Sequence, residues 1–439
     1  MSDLARRGLA RLGEARPGEA GLGDKGFGGM GIGDMGFGET IATRLTELAA
    51  VSDEAGRLTR LYLGPAHRKA ADLVASWMRE AGMSARIDAV GNVVGRYRAR
   101  DGGPLTLMLG SHIDTVRNAG RFDGALGVVI AIEVVKAAFK SGKRFPFAIE
   151  VVAFGDEEGV RFASTLGGAR ALAGTFDLKA LDEVGEDGVS RRQALVAFGC
   201  DPSRLSEEAL SPDRVIGYVE AHIEQGPVLE KDGLPVGVVS AIDGITRGIV
   251  EVDGVAGHAG TVPMPMRSDA LAAAAEMLIA IENRARSRPN LVATAGKIDV
   301  PGGTANTIPG LVRFTLDIRS PSDAERLKAV SDISETIASI ARSRGVTARF
   351  SVGHEVPAAH CDDGLSDQLA QAAETCGVTP RRLPSGAGHD AMAFDRIIPF
   401  AMLFVRCRGG VSHNPAEFAS PGDIDVAARA LSTFLDRIA

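Results

Sequence analysis

Short apolar runs alternate with longer helical patterns along most of the chain beyond residue 40. Apolar runs cover residues 105–109 and 147–154, and an apolar helical pattern covers residues 124–139 between them. This alternation predicts parallel strands joined by helices, as in an α/β domain. We therefore predict a mixed, largely parallel sheet flanked by helices. The carboxyl ends of parallel strands share one edge of a sheet, and ligands bind at that edge.

A different pattern interrupts this alternation near residue 243. Two helical stretches lie among four strand-like runs, in the order strand–helix–strand–strand–helix–strand. That order predicts a small two-layer α+β unit. The strand-like runs are residues 245–252, 291–298, 311–318 and 347–352, and the helical stretches are residues 268–286 and 324–343.

The α/β pattern resumes after residue 357, so the small unit is predicted to be an insertion into a larger domain. Residues 40–243 and 357–439 would form the larger domain, and residues 244–356 would form the inserted one. The larger domain begins with a helical pattern over residues 41–61. Two domains are also the natural expectation for a chain of 439 residues.

The first 39 residues are rich in glycine. Residues 21–29 are echoed by residues 31–39, and both copies match G-x-G-x-x-G. Neither copy follows a predicted strand, as a dinucleotide-binding loop would. So much glycine carries a large ordering entropy and offers few side chains to bury. We therefore predict a disordered tail over residues 1–39.

The overall composition excludes some classes of partner. The net charge of −7 argues against nucleic acid, because phosphate binding normally needs a basic surplus. No apolar run approaches the ~20 residues that cross a bilayer, and the layout of a signal peptide is missing. The four cysteines form no C-x-x-C pair, which indicates reduced thiols. The sequence predicts a cytoplasmic protein that binds neither nucleic acid nor a membrane.

Histidines and carboxylates follow several of the predicted strands. Any one of them alone would more commonly be a structural residue. A cluster at one sheet edge is different, because mixed imidazole and carboxylate ligands suit Zn²⁺, Mn²⁺ or Co²⁺. Two such ions are suited to hydrolysis. The residues in question are His112, Asp114, Asp123, Asp156, Glu157, Glu158, His222 and His413.

Five motifs resemble the M20 metallopeptidase-like amidases. The branch that they match holds allantoate amidohydrolase, N-carbamoyl-L-amino acid hydrolase and β-ureidopropionase. The resemblance runs in order from about Ile41 to the C-terminus, and the element His-Ile-Glu-Gln-Gly-Pro is typical of the carbamoyl-cleaving branch. The five motifs are residues 110–116, 120–127, 156–162, 222–227 and 412–417.

This resemblance implies two divalent metal ions per subunit, Zn²⁺ or Mn²⁺, with Co²⁺ and Ni²⁺ as alternatives. Asp123 would bridge the two ions. Glu157 would be the general base that takes a proton from the attacking water and delivers it to the leaving nitrogen. Asp114 would orient the imidazole of His112. The implied metal ligands are His112, Asp123, Glu158, His222 and His413.

The resemblance also implies that the insertion is a lid and dimerisation domain. His258, often contributed by the partner subunit of a dimer, would stabilise the oxyanion of the tetrahedral intermediate. Asn306 and Arg319 match positions that hold the carboxylate of the substrate, a task suited to the planar fork of arginine. Gln225 matches a polar substrate contact. His389 and Asp390 receive no role.

The implied reaction is the hydrolysis of a ureido C–N bond in a small carboxylate substrate, with release of ammonia and carbon dioxide. Allantoate, giving ureidoglycine or ureidoglycolate, is the first substrate that we expect, because residues 155–162 and 166–175 look more like allantoate amidohydrolases. N-carbamoyl-L-amino acids and β-ureidopropionate are alternatives, since they also carry a ureido group and a carboxylate. A dipeptidase of the M20 family is a more distant alternative. A binding protein without catalysis would have no use for Glu157.

Overall fold

The structure is a computed structural model that describes residues 36–439. It separates into two compact units. The larger unit contains the described residues up to Ser240, together with Cys361–Leu383 and His389–Ala439. The smaller unit consists of Ala241–His360 and Pro384–Gly388. Its main segment begins three residues before the predicted insertion of residues 244–356 and ends four residues after it.

The helices are numbered in chain order. They are α1 (Phe37–Ala49), α2 (Pro65–Glu80), α3 (Ala125–Lys140), α4 (Gly167–Ala173), α5 (Arg191–Phe198), α6 (Val228–Asp232), α7 (Ala270–Arg286), α8 (Asp323–Arg344), α9 (Asp363–Thr375) and α10 (Pro421–Arg437).

The strands are numbered in the same way. They are β1 (Ser84–Ile87), β2 (Val93–Tyr97), β3 (Thr106–His112), β4 (Ala148–Phe154), β5 (Val215–Ile223), β6 (Val236–Ile242), β7 (Gly244–Asp253), β8 (Gly257–His258), β9 (Val292–Thr294), β10 (Ile298–Asp299), β11 (Thr307–Ile308), β12 (Leu311–Ser320), β13 (Thr347–Val356), β14 (Ala359–His360), β15 (Arg381–Ser385) and β16 (Phe400–Val405).

The principal sheet is mixed, as predicted, and its parallel strands form the centre. The strand order is β1-β2-β4-β3-β5-β16-β6-β14, with β15 also paired to β6. Strand β3 runs parallel to β4 and β5, and β16 runs parallel to β5. The other registered pairings in this sheet are antiparallel. The carboxyl ends of four neighbouring strands therefore meet at one edge.

Helix α3 forms the centre of the core on one face of this sheet. It packs against β3 and β5, and its residues from Ala125 to Val135 are all buried. A helix with apolar residues on every side is stable only when other elements surround it. The single buried acid in this run, Glu133, pairs with Arg44 of α1 at 2.8 Å.

The smaller unit has two layers. Its sheet has the antiparallel order β10-β12-β7-β13, with β9 also paired to β12. Helices α7 and α8 pack against each other and against this sheet. Their shared core includes Val250, Met277, Phe314, Ile333 and Ile337.

The first described helix differs from its prediction at both ends. It begins at Phe37, so residues 37–39 are helical and do not belong to a tail. It ends at Ala49 and does not continue to residue 61. The buried guanidinium of Arg60 donates to the carbonyl groups of Leu48, at the helix end, and Ile113, so the chain must turn back at this point. The remaining prediction of a tail falls on residues outside the described part of the chain.

Neither a disulfide nor a membrane-crossing helix is found in residues 36–439. The four cysteines, Cys200, Cys361, Cys376 and Cys407, are all free thiols. No helix in this range combines the length and the apolar character that a membrane crossing requires.

Gly110 allows the central strands to approach closely, and we expect Gly110→Ala to lower the free energy of unfolding by about 3 kcal/mol or more. A Cβ at this position would lie 2.0 Å from the carbonyl oxygen of Val152 on β4, and two backbones would have to move apart. Gly353→Ala is the control, because a Cβ there meets nothing within 4 Å. Denaturant titration of both variants measures the difference. Equal stabilities would contradict the proposed constraint.

Candidate metal centre

The sheet brings the predicted site residues of the larger unit to one edge. His112 is the last residue of β3, and it lies opposite Phe154, the last residue of β4. Glu157 and Glu158 follow β4 after a turn, and His222 is the penultimate residue of β5. Since β3 runs parallel to both of its neighbours, these side chains lie at adjacent strand ends.

The carboxylate of Asp123 presents one oxygen to each of two groups of side chains. Its Oδ1 lies 3.2 Å from Nε2 of His222 and 3.8 Å from Nε2 of His112. Its Oδ2 lies 3.2 Å from Nε2 of His413. Glu158 joins the second group, since its Oε2 lies 3.6 Å from Nε2 of His413.

The five implied ligands therefore fall into two groups that share Asp123. Within each group the ligand atoms lie within 4.8 Å of one another. The first group is His112, Asp123 and His222, and the second is Asp123, Glu158 and His413. Two nitrogens with one oxygen, and two oxygens with one nitrogen, are donor sets that suit divalent transition metals. The residues fit the implied cations.

Backbone carbonyl groups fix the tautomers of the two buried histidines. Nδ1 of His112 lies 3.0 Å from the carbonyl oxygen of Asp114, and Nδ1 of His222 lies 2.9 Å from that of Ile223. A carbonyl oxygen only accepts, so each Nδ1 carries the hydrogen. In the neutral form of each ring the lone pair is then on Nε2, which faces Asp123, and in the protonated form the same Nε2 carries a hydrogen.

Asp114 lies where it was predicted, but it acts through different atoms. Its backbone carbonyl, and not its carboxylate, holds the imidazole of His112, since Oδ1 is 3.8 Å from Nδ1. The carboxylate accepts hydrogen bonds from the backbone N–H groups of Glu157, at 3.2 Å, and Glu158, at 3.3 Å. Asp114 therefore positions the segment that carries the predicted base and one predicted ligand.

The predicted base, Glu157, lies among other carboxylates. Its Oε2 is 4.0 Å from Nε2 of His112, and its side chain is 12% exposed. Burial and the charge of Glu158 raise its pKa well above the usual value. Nearby cations favour the ionised form of a carboxyl group. Divalent ions would therefore leave Glu157 able to accept a proton.

Asp123 and its imidazole partners shift one another's pKa values. Burial disfavours the ionised form of Asp123, but hydrogen bonds from His222 and His413 outweigh it and hold its pKa well below the usual value. Burial likewise lowers the pKa of His222, but the hydrogen bond and charge of Asp123 raise it to about 9. For His413, the hydrogen bond to Asp123 raises the pKa to about 9. The centre therefore favours positive charge beside Asp123.

Three further side chains hold Asp123. Oε1 of Glu417 accepts from the N–H groups of Phe122, at 2.8 Å, and Asp123, at 3.0 Å. Ser412 Oγ donates to Oε2 of Glu417 at 2.9 Å and lies 3.1 Å from Oδ2 of Asp123. Gln225, predicted as a substrate contact, donates to the same Oδ2 at 3.1 Å. Ser412 and Glu417 were not predicted as site residues, although both belong to the motif around His413.

A second row of buried groups lies behind His222. The ring of His389 packs edge-on against that of His222, with 4.5 Å between ring centroids. Glu220 accepts from Ser111 Oγ at 2.7 Å and from the N–H of Ala391 at 3.2 Å. Ligand atoms of Glu220, His222 and His389 also lie within 4.8 Å of one another. Strand β5, which carries Glu220, had no sequence-based prediction.

The remaining predicted substrate residues belong to the smaller unit. His258 on β8 pairs with Thr307 on β11, and the carbonyl of Asn306 accepts from the N–H of Ala259. His258 and Asn306 are thus close together, and both are exposed. Arg319 lies on β12, where Nε and Nη2 donate to Asp317 at 2.7 and 3.0 Å.

The comparison with known proteins identifies the family. The family model described as Peptidase family M20/M25/M40 matches residues 108–437. This chain belongs to that family. The resemblance to the M20 family is confirmed by this match, and the predicted amidohydrolase class is confirmed by the relatives described next.

The proteins that this chain resembles include an allantoate deiminase, an N-carbamoyl-L-amino acid amidohydrolase and an amidase. The chain is 41% identical to allantoate deiminase 1 of Glycine max, over 90% of this chain and 88% of the relative. It is 42% identical to N-carbamoyl-L-amino acid amidohydrolase of Geobacillus stearothermophilus, over 90% and 96% respectively. A crystal structure of a hydantoinase/carbamoylase family amidase from Burkholderia ambifaria matches with a TM-score of 0.86 and 36% identity, over 92% of this chain and 98% of that one.

Glu417 orders the loop that carries Asp123, and we expect Glu417→Ala to weaken metal binding by this M20 chain by about 10- to 100-fold. The substitution leaves the N–H groups of Phe122 and Asp123 without their acceptor. Glu417→Gln keeps an acceptor for both N–H groups, so its metal affinity should fall much less. Glu374→Ala, at an exposed position of α9, is the control. Competition with a chelating dye measures the affinities, and unchanged affinity in Glu417→Ala would exclude this role.

Proposed function

We propose that this M20 amidohydrolase hydrolyses a ureido C–N bond in a small carboxylate, and that allantoate is its substrate. The products would be ureidoglycine or ureidoglycolate, ammonia and carbon dioxide. The observation that carries the proposal is the Asp123 carboxylate, which offers one oxygen to each of two ligand groups beside Glu157. The four free thiols suit the reducing cytoplasm, the location that we propose.

Two divalent ions would occupy the two ligand groups. His112 and His222 would hold one ion together with Oδ1 of Asp123. Glu158 and His413 would hold the other together with Oδ2. Zn²⁺ or Mn²⁺ suits these donors, with Co²⁺ and Ni²⁺ as alternatives. Such ions, when bound, polarise the ureido carbonyl group and lower the pKa of water.

Glu157 would be the proton carrier of the reaction. It would take a proton from the attacking water and deliver it to the leaving nitrogen. Its position supports this role, because the turn after β4 places it beside His112 and Asp114 holds its backbone N–H. The N–H of Glu158 donates to the same carboxylate. Cleavage of the bond between the ureido carbonyl carbon and the substituted nitrogen would give the amine-bearing product and carbamic acid. The carbamic acid decomposes to one carbon dioxide and one ammonia.

Residues of the smaller unit would recognise the substrate. Arg319 uses Nε and one N–H of Nη2 on Asp317, and one N–H of Nη1 on the carbonyl of Gly386. One N–H on each terminal nitrogen is left, and these two groups would donate to the carboxylate of the substrate. Asn306 would assist Arg319, and His258 would stabilise the oxyanion. Gln225 is proposed as a further polar contact of the substrate.

The names of the relatives indicate two possible classes of substrate. Their names mention allantoate at 41% identity and N-carbamoyl-L-amino acids at 42% identity. Both classes carry a ureido group and a carboxylate, so the same ions and the same arginine would serve either. N-carbamoyl-L-amino acids, with β-ureidopropionate, are therefore the alternative. A dipeptidase activity is the more distant alternative, since these relatives are named for allantoate and for N-carbamoyl-L-amino acids.

Ammonia release by the purified protein tests the substrate assignment. The protein is stripped with a chelator and then reloaded with Mn²⁺ or Zn²⁺. Allantoate, several N-carbamoyl-L-amino acids, β-ureidopropionate and dipeptides are compared by kcat/KM. A large preference for allantoate supports the proposal. A preference for a carbamoyl amino acid would move the assignment to the alternative, and turnover of dipeptides alone would reject both.

We expect Glu157→Gln to lower kcat by about 10²- to 10⁴-fold, because the amide cannot accept the proton of water. Its metal affinity should change little, since Glu157 is not one of the proposed ligands. Glu47→Gln, at an exposed position of α1, is the matched control. The same ammonia assay provides the rates. Wild-type turnover in Glu157→Gln would disprove the proposed mechanism.

We also propose that the chain forms a homodimer through its smaller unit. Strand β13 is the last strand of its sheet and has ten residues, most of them exposed. Exposed apolar side chains accompany it, among them Ile249 at 51% and Val352 at 46%. A long unpaired edge strand is a template for pairing with another chain. In a dimer, His258 of one subunit could serve the other.

We therefore expect Val352→Lys to yield a monomer, because a charge on the edge strand opposes pairing. The wild-type chain should sediment as a dimer at micromolar concentration. Leu327→Lys is the control, since it adds the same charge at a side chain of α8 that is 50% exposed. Sedimentation velocity on the three proteins decides the question. A monomeric wild type would refute the proposal.

A further inference from the structure

The residue before the predicted base has an unusual backbone conformation. Asp156 has a φ of +72°, in the left-handed region that side chains other than glycine seldom adopt. It is fully buried, and it lies directly before Glu157 and Glu158. A non-glycine residue remains in this conformation only where its surroundings hold it there.

A buried arginine from a distant part of the chain holds Asp156. Nη1 of Arg191, the first residue of α5, donates to Oδ2 of Asp156 across 35 positions in the sequence. Nη2 of Arg191 donates to Ser164 Oγ at 2.8 Å and to Glu183 Oε2 at 3.0 Å. Within the described residues, Oδ1 of Asp156 has no hydrogen-bond partner, so Arg191 alone anchors this carboxylate.

The surroundings of the pair are closely fitted. The guanidinium carbon of Arg191 lies 4.6 Å from the ring centroid of Phe162 and 5.8 Å from that of Tyr62, and the side chain of Arg191 is fully buried. Gly167 provides the necessary space. A Cβ there would lie 2.5 Å from Oδ2 of Asp156 and 2.6 Å from Nη1 of Arg191.

The turn that Asp156 begins determines where the next two side chains point. Its own carbonyl accepts from the N–H of Leu166 at 2.7 Å. The next two N–H groups, those of Glu157 and Glu158, both donate to Asp114. With these groups held, Glu157 lies beside His112 and Glu158 beside His413.

We propose that Arg191 is a positioning residue for the reaction. Through Asp156 it holds residues 155–158 in the conformation that directs Glu157 toward the substrate and Glu158 toward its metal ion. Arg191 touches neither the substrate nor the ions. The proposal rests on the function proposed above for Glu157 and Glu158, and it assigns a role to Arg191, which lies in none of the five family motifs.

A purely structural ion pair would behave differently. Replacing both members of a buried pair by neutral groups is often neutral or even stabilising, whereas removal of one member leaves an unpaired buried charge. The double variant Asp156→Asn/Arg191→Met therefore separates positioning from folding. If the pair only stabilised the fold, the folded double variant would retain its rate.

The experiment compares the double variant with the wild-type holoenzyme. We expect a melting temperature close to that of the wild type, a kcat lower by about 10- to 100-fold and a KM within about threefold. We also expect the affinity for Mn²⁺ or Zn²⁺ alone, measured by chelator competition, to fall about tenfold, because supporting residues orient the ligands. Arg191→Lys, which keeps the charge, should recover part of both losses.

A matched control is available in the same segment. Arg204 and Glu207 form an exposed ion pair at 2.9 Å, and Arg204→Met/Glu207→Gln should leave rate and metal affinity unchanged. Gly167→Ala is the second test variant, since it disturbs the buried pair without removing a charge. Gly167→Ala replaces the double variant if that variant does not fold, and its kcat and metal affinity should fall in the same way.

Wild-type kcat and metal affinity in a folded double variant, or a loss confined to KM, would overturn the proposal. The proposed role of Arg191 and the proposed function of the protein can be rejected independently of each other. If the wild-type protein turned over no ureido substrate, the proposed function would be rejected, while the metal affinities of the variants would still decide whether Arg191 positions Glu158.

Discussion

Asp123 presents one carboxylate oxygen to each of two groups of ligands, and side chains from distant parts of the larger unit hold it there. Glu417 accepts the N–H groups of its loop, while Ser412 and Gln225 contact its Oδ2. A carboxylate can contact both ligand groups, one with each oxygen, only if the plane of the carboxylate is fixed. The parallel strands place His112 and His222 at one edge of the sheet. The contacts of Glu417, Ser412 and Gln225 hold the loop that carries Asp123 beside them.

The concentration of acidic groups at this edge has an energetic consequence. Burial raises the pKa of Glu157 and, to about 7, that of Glu158. The same holds for Asp114 and Glu220, whose pKa values burial also raises. Without cations, ionising this many buried carboxyl groups costs free energy. Divalent ions that bind only the folded chain would stabilise it by mass action. The reaction and the stability of the fold would then depend on the same ions.

Positioning of the site occurs mainly through the backbone. Carbonyl groups set the tautomers of His112 and His222, and Asp114 binds two consecutive N–H groups of the turn after β4. Asp156 begins that turn in a left-handed conformation, anchored by Arg191. Backbone contacts of this kind leave the functional side chains free to face the centre.

The alternation of apolar runs was sufficient to predict the mixed α/β sheet. Local motifs indicated His112, Asp123, Glu158, His222 and His413, which the fold brings together in two groups. The alternation and the motifs are properties of short stretches of chain, so they can be recognised without coordinates. The end of helix α1, the use of the Asp114 carboxylate and the anchoring of Asp156 by Arg191 could not be predicted in this way. Each depends on groups that lie far apart in the sequence, and only the packing of the folded chain decides which of them meet.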